Sequence, residues 1–448
     1  LSGSENRMSI EPIPGTELCY ELICYDSNGN ERVEPDGLAS DRVEKRVASG
    51  DVTDVFLFSH GWMGDIPAAK AQYNAWTAAM AGCESDIARM TEARGGRFAP
   101  IMIGLHWPSL PWGDERLAGP ETASFAPQAG ADVDPVDALV DDYASKIADT
   151  PAARAALRTI IEWSMDHTLE RELPPEIVAA YATLNAESGL GSEGEGGDPS
   201  SDREPFDPQA VVREADDNSV SFAIPGIGLL LSPLRTMSFW KMKDRAREFG
   251  ATAGADLLAR LQRASLSTRF HLMGHSFGCI VVSSILAGRD GHGVPVRPVE
   301  SITLAQGALS LWSFCESIPS VPARSGYFHS AVNGRVKGPI LTTQSELDYA
   351  VGRYYPLAAG VAGQVIFNAP GSLPKYGAVG TYGIQGIDDR TIDLTVAGID
   401  HDYGFRPGMI YNIESTSVIK TLSGSGGAHC DIAHPEIAHA VWEAARVV

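Results

Sequence analysis

Cysteine is scarce in this chain: six among 448 residues, with no C-x-x-C pair and no regular spacing. That excludes a disulfide-stapled scaffold and the common paired-cysteine metal and redox motifs. Cys19 and Cys24 lie on one expected strand an odd number of residues apart, so they face opposite ways. Reduced thiols in a cytoplasmic protein are the default expectation, with an already removed signal peptide as the alternative. Positive charge is also short. Lys and Arg total 35 against 57 Asp and Glu, a formal net charge of −22, and nucleic acids or anionic membranes need a basic face. Neither is expected as a partner. Long apolar runs are missing too. The best candidate, Phe222 to Leu231, is interrupted by Pro225 and Gly226 and is too short to span a bilayer. The N-terminus has no charged-then-apolar signal pattern, and residues 1–7 fit a tag remnant ahead of Met8.

What remains is a globular composition, 44% apolar and 21% charged. Strand-like and helix-like segments alternate over much of the chain, which implies an α/β fold with a mostly parallel sheet flanked by helices. Strands are expected at 17–25 and 31–33, joined by an Asn28-Gly29 hairpin turn, and then at 54–58, 98–106, 268–273, 301–305, 339–343 and 409–413. Helices are expected at 41–48, 68–81, 277–287 and 435–446, with a long one at 238–264. The alternation breaks after Trp107. Residues 111–235 read as a helical insertion, with helices at 135–148, 151–168 and 175–186, each with Pro in its first turn. Residues 187–208, rich in glycine, serine and acids, read as a flexible linker within it. The core would then comprise residues 8–110 and 236–448, with an irregular excursion at 356–407.

The chemistry centres on Gly274-His275-Ser276-Phe277-Gly278. A serine at the tip of a strand-to-helix turn, with glycine two residues to either side, has the form of a nucleophile elbow. The pentapeptide alone says little in a chain with 46 glycines, so the strand before it and the helix after it carry the reading. Serine needs a general base, oriented by a carboxylate, and donors for the oxyanion that develops in acyl transfer.

With these motifs the chain resembles an α/β-hydrolase. Phe56-Leu-Phe-Ser-His60-Gly61-Trp62 is similar to the strand and H-G-x oxyanion loop of that superfamily, although a single glycine precedes the bulky Trp62. The resemblance implies an oxyanion hole from the backbone N–H groups of Trp62 and Phe277, with Met63 a lesser candidate. It also implies that acid and histidine follow the serine in that order. Asp348, just beyond the 339–343 strand, is the expected acid and Glu346 the second choice. Asp388, Asp389, Asp400 and Asp402 lack an obvious strand end. His429, in the glycine-rich loop Gly424 to Gly427 and beyond, is the expected base, and Asp431 is expected to cap or pair locally. His60 and His275 are read as packing or hydrogen-bonding residues.

Ser238-Phe-Trp-Lys241 matches S-x-x-K, but it stands alone at a helix start. His434 and His439 are five apart and do not share a helical face, so no metal site is expected, and no cofactor. The resemblance implies a serine hydrolase that cleaves carboxyl esters of small acyl substrates. A lipase or phospholipase, an amidase or peptidase, and an inactive binding protein on the same fold remain alternatives. The apolar stretch 222–234 is either core packing or a flap admitting acyl chains.

Overall fold

Asp54-Val-Phe-Leu-Phe-Ser59 is buried at every position, and a strand covered on both faces belongs inside a parallel sheet. The computed structural model, which describes residues 9–62, 65–109, 134–167, 172–217, 230–289, 295–359 and 373–448, shows that sheet. Its strands are β1 (Ile10–Pro12), β2 (Cys19–Cys24), β3 (Asp54–Ser59), β4 (Pro100–His106), β5 (Arg269–His275), β6 (Ser301–Ala305), β7 (Ile340–Gln344), β8 (Thr391–Thr395) and β9 (Ile410–Glu414). They lie in the order β1-β2-β4-β3-β5-β6-β7-β9-β8. Every neighbouring pair is parallel except β1 with β2. The architecture is α/β, consistent with an α/β-hydrolase-like fold.

The order contains a reversal. From β3 the chain runs outward to β4 on one side, then returns to β5 on the other side of β3. In open parallel sheets such a switch point leaves a crevice beyond the carboxyl ends of the two strands, where ligands bind. β3 and β5 are in register, with Ser59 opposite Gly274, so the loops that leave them start side by side.

The chain divides into two compact units, Leu1–Leu110 with Arg245–Gly352 and Gly377–Val448, and Pro111–Asp244 with Arg353–Tyr376. The first contains the sheet and the helices α1 (Ala39–Ala48), α2 (Ile66–Ala81) and α3 (Glu84–Ala93). The second contains α4 (Pro135–Lys146), α5 (Pro151–Asp166), α6 (Pro175–Glu187) and α7 (Pro208–Asp217). Proline opens α4, α5 and α6, where its missing N–H is no loss, and Asp134 and Thr150 cap α4 and α5.

A long helical stretch follows: α8 (Ser232–Phe249), a π-helical turn (Gly250–Gly254) and α9 (Ala255–Ala264). The π turn lies against α10 (Gly278–Ala287), and a Cβ on Gly250 would stand 2.3 Å from Val281 O. Only glycine allows that approach. α11 (Pro435–Arg446) packs its apolar face, including Ile437, Val441 and Trp442, against the β3 side of the core.

Some elements differ from expectation. Asn28-Gly29 forms a turn, but only the single bridge Tyr25 to Glu31 follows it, because the antiparallel partner of β2 is β1. The region 356–407, expected to be irregular, supplies the edge strand β8, half exposed and therefore weakly patterned. Residues 187–208 contain almost no apolar groups, yet Glu195 and Ser200 through Arg203 are buried. Arg203 donates to Gly191 O and Asn185 Oδ1 at 2.9 and 3.0 Å, and burial lowers its pKa to about 10. Close by, Lys243 Nζ donates to Tyr355 Oη, which donates to Asp202 Oδ2, both at 3.0 Å. Burial pushes the Lys243 ammonium down to about 7, with Asp202 and Asp198 opposing it. These polar contacts order a stretch that hydropathy marks as solvated. Of the apolar stretch 222–234, residues 222–229 lie outside the described residues. Leu230, Leu231 and Leu234 are buried.

Candidate active site

The turn between β5 and α10 holds Ser276 at φ 55°, a left-handed conformation that strains a residue with a Cβ. The flanking glycines follow from space. A Cβ on Gly274 would lie 2.3 Å from Gly278 O, and one on Gly278 would lie 2.2 Å from Ser59 O. Across the switch point, a Cβ on Gly61 would stand 2.7 Å from Ser276 Cβ. The loop after β3 therefore lies directly against the serine.

That loop is fixed by buried polar contacts. Tyr73 Oη accepts from His60 N–H at 2.8 Å and donates to Leu105 O at 2.5 Å. His60 Nδ1–H donates to Gly61 O at 2.8 Å, and its Nε2 accepts from Trp107 N–H at 3.3 Å. Burial, reinforced by neighbouring His106, lowers the His60 pKa to about 3. The ring is neutral, with both nitrogens engaged, and holds the loop. The Trp62 and Phe277 rings stack at 5.7 Å, which brings together the two residues expected to supply oxyanion donors. Met63, the lesser candidate, lies outside the described residues.

Beyond β7 the chain turns so that Asp348 is buried, while Glu346, the second choice, is exposed. Three N–H groups point at the Asp348 carboxylate. His429 Nδ1 and Gln306 Nε2 reach Oδ2 at 2.7 and 2.8 Å, and Val351 N reaches Oδ1 at 3.1 Å. With Nδ1–H donated to the carboxylate, the lone pair of His429 lies on Nε2, the state a general base requires. The histidine loop is tied to the acid segment by its backbone. Asp348 bridges Gly427, and Ala428 N–H donates to Leu347 O at 2.8 Å. Gly427 has φ 66°, and a Cβ there would stand 2.3 Å from Leu347 O. Glycine is what allows this loop to close on the acid.

Ser276 and His429 meet through His275. Its Nε2–H donates to His429 O at 2.8 Å, and the two imidazole rings lie 4.7 Å apart. Burial, then the neighbouring His429, hold the His275 pKa well below the usual histidine range. No hydrogen bond joins Ser276 Oγ to His429 among the described residues.

The remaining polar candidates are occupied locally. Asp431 accepts from Lys420 N–H and Thr421 N–H at 2.9 and 2.7 Å and pairs with His434. His439 is buried between Asp86 and His401 O. Ser238 Oγ donates to Arg235 O, while Lys241 Nζ donates to Ser188 O, so each member of the S-x-x-K pair is engaged by a backbone carbonyl. Among the described residues no group of three or more His, Cys, Asp or Glu could hold a metal ion. No helix among them is long and apolar enough to cross a membrane.

No family model, curated protein or solved structure matches the chain. The site therefore stands on its own geometry. Sequence reading missed Gln306 and Tyr73. The position of Gln306, just past a strand beside the serine strand, was the available signal. Tyr73 fills the space above Gly104, where a Cβ would meet its ring at 2.5 Å, and nothing in the sequence pairs those two residues.

Proposed function

We propose that this protein is a serine hydrolase that cleaves carboxyl esters through an acyl-enzyme on Ser276. The observation that carries the reading is Ser276 itself, a strained serine between two space-excluded glycines at the switch point of a parallel sheet. The Asp348–His429 hydrogen bond supports it. In the proposed cycle His429 Nε2 takes the Ser276 hydroxyl proton as Oγ attacks the acyl carbon. Asp348 stabilises the imidazolium, and the backbone N–H groups of Trp62 and Phe277 receive the oxyanion. His429 then protonates the leaving alkoxide and activates water for deacylation. Catalytic hydrogen bonds tighten as the substrate complex forms, so the Ser276–His429 bond belongs to that state.

Carboxyl esters are preferred over amides because an alkoxide leaves more readily than an amine and demands less of the acid. The test is a steady-state panel of activated esters, long-chain esters, phospholipids and anilides with wild type, Ser276→Ala and His429→Ala. Ester turnover lost in both variants supports the reading. Turnover confined to anilides points to an amidase, and turnover confined to long-chain esters or phospholipids points to a lipid-directed enzyme. Equal turnover in all three proteins removes Ser276 from the chemistry.

A further inference from the structure

Among the described residues, two that are not glycine hold a positive φ: Ser276 at 55° and Gln306 at 47°. Strain of this kind persists only where the surroundings over-determine it, and here the two strained residues share one brace. They follow adjacent strands whose ends pair, His275 with Ala305. Ser276 N–H donates to Ala305 O at 3.1 Å, and Ala308 N–H donates back to Ser276 O at 3.2 Å. The turn that contains Gln306 thus clamps the serine backbone from both sides.

The Gln306 side chain continues the brace toward the acid. It is fully buried. Thr343 Oγ1–H donates to Gln306 Oε1 at 2.9 Å, and the same hydroxyl accepts from Gln306 N–H at 3.1 Å. With the amide oxygen committed to Thr343, the amide nitrogen faces Asp348 and donates to Oδ2 at 2.8 Å. That oxygen also accepts from His429 Nδ1. Gly380 closes the other side of the turn, since a Cβ there would stand 2.7 Å from the Gln306 carbonyl carbon.

We propose that Gln306 is a positioning residue for the triad, fixing the Asp348 oxygen that orients His429 and linking it rigidly to the Ser276 backbone. This inference rests on the serine-hydrolase reading. The rival role for Gln306 is a purely structural brace between the ends of β6 and β7.

Two variants separate them. Gln306→Met keeps the length of the side chain and removes the donor. Positioning predicts kcat lower by roughly 10- to 100-fold, the effect of losing a hydrogen bond to a charged group, with KM within about two-fold. Gln306→Glu places a carboxyl beside Asp348. At low pH that carboxyl is protonated and donates as the amide does. As pH rises it ionises and repels Asp348, so activity relative to wild type falls progressively between about pH 6 and 10. A structural brace predicts a lowered melting temperature in both variants, with kcat of the folded protein and its pH profile unmoved.

A third measurement does not depend on turnover: the NMR resonance of the His429 Nδ1 proton. Positioning predicts a shift in both variants, and an unmoved resonance overturns the inference. Failure of the hydrolase reading shows separately, as no ester turnover by wild type. In that event the resonance alone decides whether Gln306 orders the Asp348–His429 pair.

Discussion

The closeness of Gly61 to Ser276 can be measured without assuming any chemistry. An alanine at position 61 would bring its Cβ to 2.7 Å from Ser276 Cβ, with His275 O at 3.2 Å and His275 Nδ1 at 3.3 Å blocking lateral escape. Carbon atoms in contact sit at about 3.5–4.0 Å, so the loop must retreat by about 1 Å. Overpacking of this kind destabilises by about 1–3 kcal/mol. Ser276→Gly removes the opposing Cβ and relieves a left-handed residue, so alone it stabilises by about 1 kcal/mol. In the double variant the 2.7 Å clash is gone and only the milder contacts with His275 remain, so Gly61→Ala costs less there than in the wild-type background. A double-mutant cycle on urea-unfolding free energies therefore yields a coupling of about 1–3 kcal/mol. In Gly61→Ala alone, a retreat of about 1 Å by the loop proposed to supply the oxyanion donors lowers ester kcat/KM by about 100-fold. Equal destabilisation by Gly61→Ala in both backgrounds, or an unchanged kcat/KM, would contradict this packing of Gly61 on Ser276.

Asp348→Asn keeps the shape of the acid. Its amide oxygen faces His429 and Gln306, because that orientation satisfies two donors and the opposite one satisfies only Val351 N–H. The tautomer survives and the charge is lost. An imidazolium about 4 Å from a carboxylate is stabilised by about 4 kcal/mol at an effective dielectric of 20, so kcat falls by about 1,000-fold, read in the ester assay. His275→Leu removes the bond to His429 O and lowers kcat by about 10-fold. Acid stability is a further readout. His60 and His275 are buried neutral, with pKa values below that of an unfolded histidine. The unfolded state therefore binds more protons once pH falls below about 6.5, and stability drops by up to about 1.4 kcal/mol per pH unit for each ring. For His60 that window extends down to its folded value of about 3. Unfolding titrations should show a shallower acid slope in His275→Leu than in wild type.

The central strands are legible because burial on both faces writes continuous apolar runs, as in β3 and β4, bounded by polar or turn residues. β8 is not, since an exposed edge strand such as Thr391–Thr395 carries no such run. Asp348 and His429 could be chosen from their positions after strand ends, and they are hydrogen-bonded to each other. Glycines at 274, 278 and 427 mark places where a Cβ would meet backbone, so composition there reports geometry. Gln306 was hidden because its role depends on the hydroxyl of Thr343, 37 residues away. The buried polar groups around Arg203 were hidden for a related reason: hydropathy ranks residues by their affinity for water, and these are satisfied by each other.

The central claim is that Ser276 is an activated nucleophile. Its most direct test is reaction of the protein with a fluorophosphonate, followed by mass-spectrometric mapping of the adduct. An activated Ser276 should take one adduct per chain, absent in Ser276→Ala and greatly slowed in His429→Ala. Undiminished labelling of Ser276→Ala, an adduct on another residue, or no adduct on wild type contradicts it.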